Sequence, residues 1–188
     1  GLGEPLKNCI DEIGPKKIAL NMSKNEHLAD GLTTGRFRWL KKNLENVFQG
    51  EYVSSESFLT KLRSMKTDSE IKKVKKAIDL TLVIYEEVFK QLKSGMSEKE
   101  MGQLFVDELE NRSLVNGIDR TLSMPVVMKD RIAHRGPSDR KIKKGDLVIF
   151  DFSVYYEGYN SDIARTVYFL KDGETKAPEK VQQTFDSI

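Results

Sequence analysis

Leu147-Val148-Ile149-Phe150-Asp151-Phe152-Ser153-Val154-Tyr155-Tyr156, then Glu157-Gly158-Tyr159-Asn160, then Ser161-Asp162-Ile163-Ala164-Arg165-Thr166-Val167-Tyr168-Phe169-Leu170, is the stretch on which the fold turns. Both flanks are dense in Val, Ile, Phe and Tyr, the composition of strands. A turn cluster separates them, Lys144-Gly145-Asp146 turns the chain into the first, and Asp172-Gly173 ends the second. The pattern predicts a β-hairpin. Asp151 does not belong in such a run. It sits mid-strand between Phe150 and Phe152, where Asp is depleted and a buried carboxylate without a partner would cost on the order of several kcal/mol. Asp162 stands at the start of the returning strand. Given an even-numbered loop and no bulge, residues of opposite parity share a face across an antiparallel pair. Asp151 and Asp162 are therefore expected to project together, opposite or diagonal, within roughly 5–8 Å.

Two carboxylates so placed repel, and three arrangements relieve them. A divalent cation can lie between them, since hard oxygen ligands suit ions such as Mn²⁺ and Mg²⁺. Salt bridges to Arg165 or a lysine can neutralise them, or they can share one proton as a dyad. The residues alone leave the three open.

Upstream of the hairpin, residues 60–67 read as a linker. Thr67 and Glu70 then form a capping-box pattern before the strongest helix signal, a stripe of Ile71, Val74, Ile78, Leu82, Tyr85, Val88 and Leu92. Ser94-Gly95 ends that helix, Ser97 and Glu100 repeat the cap, and Met101, Leu104, Phe105 and Leu109 carry a second helix to about Arg112. Residues 113–124 read as loop, followed by the apolar Val126-Val127-Met128, a turn, Ile132-Ala133-His134 and a break at Gly136-Pro137. Pro178 fits the first turn of a closing helix. Before residue 60, strand 16–22, helix 34–48, strand 51–53 and a turn with Phe58, Leu59 and Leu62 suggest part of a small α/β unit. Trp39 is expected to pack inward while Arg36, Arg38, Lys41 and Lys42 face water. Lys72, Lys73, Lys75 and Lys76 read as the wet side of the long helix, and Arg165 is expected to pair with a nearby acid.

Of the 188 residues, 32% are charged and 38% hydrophobic, with 13 Gly and 5 Pro, which excludes collagen-like and low-complexity chains. Thirty-one basic residues against 29 acidic ones leave a net charge of +2. That balance advertises neither nucleic acid nor a membrane surface as a partner, and no apolar run approaches the ~18 residues of a spanning helix. Cys9 is alone, so an internal disulfide and a Cys-rich zinc site are excluded. The histidines are His27, read as structural, and His134, so any metal site must lean on carboxylates. The chain opens Gly1-Leu2-Gly3 and stops at Ser187-Ile188. It reads as an excerpt in which a leader segment would be invisible.

Three segments together carry a resemblance: Ile132-Ala133-His134-Arg135-Gly136-Pro137-Ser138-Asp139-Arg140, Lys144-Gly145-Asp146-Leu147-Val148-Ile149-Phe150-Asp151-Phe152, and Gly158-Tyr159-Asn160-Ser161-Asp162-Ile163-Ala164-Arg165-Thr166. They resemble the pita-bread metallopeptidases, best in the Xaa-Pro dipeptidase and aminopeptidase branch. The likeness covers about residues 60–188. A weaker one over 16–60 matches that branch's amino-terminal domain, which methionine aminopeptidases lack. The resemblance implies an α+β fold class: residues 61–188 as the first half of a pita-bread catalytic domain, and residues 1–60 as part of a small α/β amino-terminal domain. It implies Asp151 as a metal ligand using both oxygens on one ion, Asp162 as a ligand bridging two ions, and His134 as a substrate-binding and catalytic group that does not ligate metal. Ser153 departs from the Gly common in the family two residues after the first ligand.

The implied cofactor is a pair of divalent ions, Mn²⁺ first, with Co²⁺ or Zn²⁺ as alternatives. The implied partner is a peptide with proline at its second position, cleaved at the amino-terminal Xaa-Pro bond by a hydroxide that the two ions activate, in a cytoplasmic homodimer. The family site also needs a His and two Glu from a later half. After Asp162 this chain offers only Asp172, Glu174, Glu179 and Asp186, and no His. The site is therefore expected to be incomplete, and this chain alone inactive. Two rivals are a non-catalytic peptide-binding module of the same fold and a creatinase-like hydrolase working without metal. Retention of both aspartates speaks against each, because loss of metal relaxes the need for confined acids.

Overall fold

The structure, a computed structural model, describes residues 1–129 and 135–187. It divides into two compact units, Gly1–Lys66 and Thr67–Ile188.

In the first unit α1 (Gly3–Ile13) precedes β1 (Lys17–Leu20), a single 3₁₀ turn (His27–Ala29), α2 (Thr34–Leu44), β2 (Glu51–Ser54) and α3 (Glu56–Ser64). β1 and β2 pair in parallel with Lys17 opposite Glu51, so α2 is the crossover of a β-α-β unit. Gly50 permits the pairing, because a β-carbon there would lie 2.2 Å from the Lys16 carbonyl oxygen. The small core gathers Leu44 and Phe48, with Phe37 and Phe48 set edge-on to Tyr52. Three sequence expectations need correction. α1 was not foreseen, although Leu6, Ile10 and Ile13 recur in it at helical spacing; none of its residues is buried. The turn around Phe58 is a full helix, α3, reaching into the supposed linker. Trp39 is 47% exposed rather than packed inward, its place against the strands being taken by Phe37 and Phe48.

The second unit opens with α4 (Asp68–Gln91) and α5 (Glu98–Asn111), both entered through complete capping boxes, Thr67 with Glu70 and Ser97 with Glu100. There follow β3 (Val115–Asn116), β4 (Val126–Met128), β5 (Leu147–Phe152), β6 (Val154–Tyr156), β7 (Tyr159–Asn160), β8 (Ile163–Tyr168) and α6 (Glu179–Asp186). The order β4-β5-β8 makes one antiparallel sheet and β3-β6-β7 another. The predicted hairpin is present. Its tip is a two-residue turn in which Glu157 and Gly158 both have positive φ, 44° and 96°, the geometry that matches strand twist. One register runs through it, Tyr156 opposite Tyr159 and Phe152 opposite Ile163, but each predicted strand is interrupted, at Ser153 and at Ser161-Asp162. Phe150, Phe152, Val148 and Val154 turn into a core with Ile84, Tyr85, Val88, Met101, Phe105 and Leu109 from α4 and α5. Among the described residues no helix is long and apolar enough to cross a membrane.

Candidate metal centre

Asp151 lies opposite Ala164 in the β5–β8 ladder, with Val126 of β4 on its other side. Its neighbours Phe150 and Phe152 are fully buried, so the period-two alternation turns Asp151 to the face away from α4 and α5. Asp162 immediately precedes β8. Buried Ser161, exposed Asp162, core-packed Ile163 and exposed Ala164 continue the same alternation. The two carboxylates therefore share the outward face as diagonal neighbours, a relation that spans about 7–8 Å. Further along that face, a hollow of 650 Å³ separates Leu147, Thr166 and Tyr168 from Val181 and Phe185 of α6.

Arg165 lies elsewhere. It stands opposite Phe150, on the parity that faces the helices, and donates to the Ala164 carbonyl at 2.9 Å. It makes no ion pair among the described residues, contrary to expectation. The register sets it on the opposite face of β8 from Ala164, the residue across from Asp151. It borders instead a groove of 440 Å³ with Val74, Ile78 and Leu82 of α4 and with Asp162.

The backbone around the aspartates is held by hydroxyls from α4. Tyr85, buried in the core, shares its phenol proton between the carbonyls of Ile163 (2.8 Å) and Phe150 (3.1 Å). Burial pushes the Tyr85 phenol well up from its ordinary value, and the field of Asp151 adds to this, with a smaller push from Asp162. One turn earlier, fully buried Thr81 meets the Ser161 hydroxyl at 2.6 Å, and Ser161 accepts the Val154 N–H at 2.8 Å.

His134 lies outside the described residues. The segments on either side converge on Glu98, at the start of α5, whose side chain is fully buried. It accepts from the N–H of Lys129 (3.1 Å), the N–H and hydroxyl of Ser138 (3.0 and 2.6 Å), and both terminal nitrogens of Arg135 (2.6 and 2.7 Å). Burial alone would raise the Glu98 carboxyl. The hydrogen bonds from Arg135 and Ser138 and from the two main-chain amides outweigh it and hold the group down at about 2.

Thr81, Tyr85 and Glu98 were not singled out from sequence. The first two are hidden in a helical stripe, and Glu98 resembles an ordinary acid in a first helical turn. One signal was available: Thr81 and Tyr85 lie four apart, both bearing hydroxyls, on the face that holds Ala77, Ile84 and Val88.

Asp151 and Asp162 are hard oxygen donors on one face, the chemistry that suits a divalent ion. The described residues contain no group of three or more His, Cys, Asp or Glu able to hold one.

A mixed α/β unit with this hairpin and its paired outward carboxylates defines a class, and the comparisons agree. The chain belongs to metallopeptidase family M24, whose model matches residues 72–186. An uncharacterised peptidase of Staphylococcus saprophyticus is 36% identical over 130 residues, 68% of this chain and 35% of its own length. In fold, the chain matches the X-Pro aminopeptidase of Thermotoga maritima at a TM-score of 0.73 with 22% identity, over 98% of this chain and 48% of that one. The Xaa-Pro dipeptidase of Bacillus anthracis gives 0.71 with 23% identity, over 99% and 48%. The fold is that of the pita-bread peptidases over about half of their length.

Proposed function

We propose that this chain carries part of the active site of a metal-dependent peptidase that hydrolyses the amino-terminal Xaa-Pro bond of peptides. The observation that supports this best is the shared outward face of Asp151 and Asp162, set by one uninterrupted register. In this reading Asp151 and Asp162 would both serve as carboxylate ligands of a pair of divalent ions. Bound divalent ions supply Lewis acidity and lower the pKa of water into the neutral range. The chain's own carboxylates set where that chemistry occurs, and His134 orients substrate and steadies charge at the scissile bond. A His and two Glu from the rest of the protein complete the ligand set, so residues 1–188 alone are inactive. The boundary read from sequence, between an amino-terminal part at 1–60 and the catalytic half at 61–188, falls inside α3, a few residues before the division of the two compact units after Lys66. Family likeness further supports Mn²⁺ as the working ion, a homodimer, and a cytoplasmic setting.

The test is the intact protein with Mn²⁺ on peptides differing only in proline or alanine at the second position. Turnover of the proline peptide is expected. A folded, Mn²⁺-loaded protein that turns over neither would remove the enzyme reading and favour the peptide-binding module. Asp162→Asn separates the two by calorimetry: it abolishes binding of at least one ion under the first reading and changes little under the second.

A further inference from the structure

We infer that Thr81 and Tyr85, two hydroxyls one turn apart on the buried face of α4, are positioning residues that set the separation and aim of Asp151 and Asp162. This rests on the reading of those aspartates as metal ligands and adds the device that holds them.

The contacts fall where such a device needs them. Tyr85 binds the carbonyl of Phe150, the residue before Asp151, and the carbonyl of Ile163, the residue after Asp162. One oxygen thus fixes the main chain beside both carboxylates. Thr81 acts on the residue before Asp162. It donates to the Ala77 carbonyl at 2.8 Å, which leaves its oxygen to accept from Ser161, and Ser161 in turn accepts the Val154 N–H. The proton assignment is self-consistent: Thr81 and Ser161 each donate and accept, Tyr85 donates, and among the described residues no buried side-chain N or O lacks a partner. Ser161 N–H donates to the Val154 carbonyl at 3.1 Å, so the hydroxyl relay stands beside a normal ladder bond just where both strands are interrupted.

Hydroxyls are a costly choice for a helix face that otherwise buries Ala77, Ile84 and Val88. Apolar residues would pack there equally well but would leave the peptide groups around both aspartates free to pivot about the sheet. A side chain that orients a ligand without touching the ion typically carries about tenfold or more of metal affinity.

The experiment uses the intact protein. Thr81→Val removes one hydroxyl at nearly constant shape, Thr81→Ser restores it, and Tyr85→Phe removes the other. Val88→Ala, a core truncation outside both contacts, controls for lost stability, and Asp162→Asn controls for the ligand reading. Readouts are Mn²⁺ affinity by calorimetry, the paramagnetic resonance spectrum of bound Mn²⁺, and amide exchange of Val154 and of the β5–β8 ladder in metal-free protein. Thr81→Val and Tyr85→Phe are expected to weaken Mn²⁺ about tenfold, to alter the spectrum and to speed exchange at Val154 and in the β5–β8 ladder around Phe150 and Ile163 respectively. Thr81→Ser should return affinity to within about threefold of the parent, and Val88→Ala should lower stability with affinity unchanged. Parent-like affinity and spectra in both hydroxyl variants, with Asp162→Asn unable to bind, would overturn the positioning role and leave the ligand reading standing. Parent-like binding by Asp162→Asn would overturn both. If Tyr85→Phe fails to fold, the three-way comparison of Val, Thr and Ser at position 81 decides.

Discussion

Two buried polar clusters in the second unit do the same mechanical task with opposite electrostatics. Thr81, Tyr85 and Ser161 pin the main chain around Asp151 and Asp162 with neutral groups. Glu98 pins the main chain at Lys129 and Ser138, either side of His134 in sequence, with a charge. A neutral hydroxyl loses modest solvation on burial, and one good hydrogen bond replaces it. A carboxylate loses far more, so it must collect every donor within reach, as Glu98 does from Arg135, Ser138 and two amides. The neutral cluster is consequently indifferent to pH, since burial pushes the Tyr85 phenol further above neutrality. The charged cluster is stronger, and it can be switched off by a proton.

Truncation measures that difference most directly. Glu98→Ala leaves Arg135 without its buried partner and the Lys129 and Ser138 amides without an acceptor. It is expected to lower unfolding stability by about 3 kcal/mol or more in urea titration. Thr81→Val, which removes a neutral group from an equally dry site, is expected to cost only about 1–2 kcal/mol. Equal losses would mean that charge adds nothing to the Glu98 clamp.

Acid sharpens the contrast. Glu98 sits at about 2 in the folded protein, against roughly 4.3 for an unfolded glutamate. A depressed folded value favours the ionised form, so its contribution is fully present above about pH 4.3. It then fades as pH falls through 2, a loss on the order of 3 kcal/mol. The stability gap between the parent and Glu98→Gln should therefore narrow steadily from pH 5 towards pH 2. The gap between the parent and Thr81→Val should stay level over the same range. A Glu98→Gln gap that does not narrow would place the clamp's strength in packing rather than in charge.

The same pair of clusters shows what could be read from the chain and what could not. The hairpin and the common face of Asp151 and Asp162 were legible because strand parity is a local rule that survives folding. Both capping boxes were legible for the same reason, each closing over four consecutive positions. The inner face of α4 was misjudged. Periodicity places Val74, Ile78 and Leu82 on a stripe with Tyr85 and Val88, yet those three border the groove beside β8 while Ala77, Thr81 and Ile84 enter the core. A helix apolar over a broad arc does not declare which side its neighbours will occupy. Glu98 was illegible for a deeper reason. Its partners at 129, 135 and 138 are 31 to 40 positions away, and no local pattern connects an acid in a first helical turn to a loop that far along the chain.

The capping boxes offer the smallest and cleanest contrast, because the sequence signature is the same and only the surroundings differ. Thr67 accepts the Glu70 N–H at 3.3 Å on an exposed helix end. Ser97 accepts the Glu100 N–H at 3.2 Å but is itself buried, bridges to Lys141 and immediately precedes Glu98. Thr67→Ala loses one cap and is expected to cost about 1 kcal/mol. Ser97→Ala loses the same cap and also loosens the turn that holds Glu98 in register with Lys129 and Ser138. It should cost measurably more in the same urea titration, and amide exchange at Ser138 should quicken while that near Thr67 does not. Identical costs for the two variants would show that the cap and the Glu98 clamp are energetically independent, and that the charged cluster draws its rigidity from Arg135 and the loop alone.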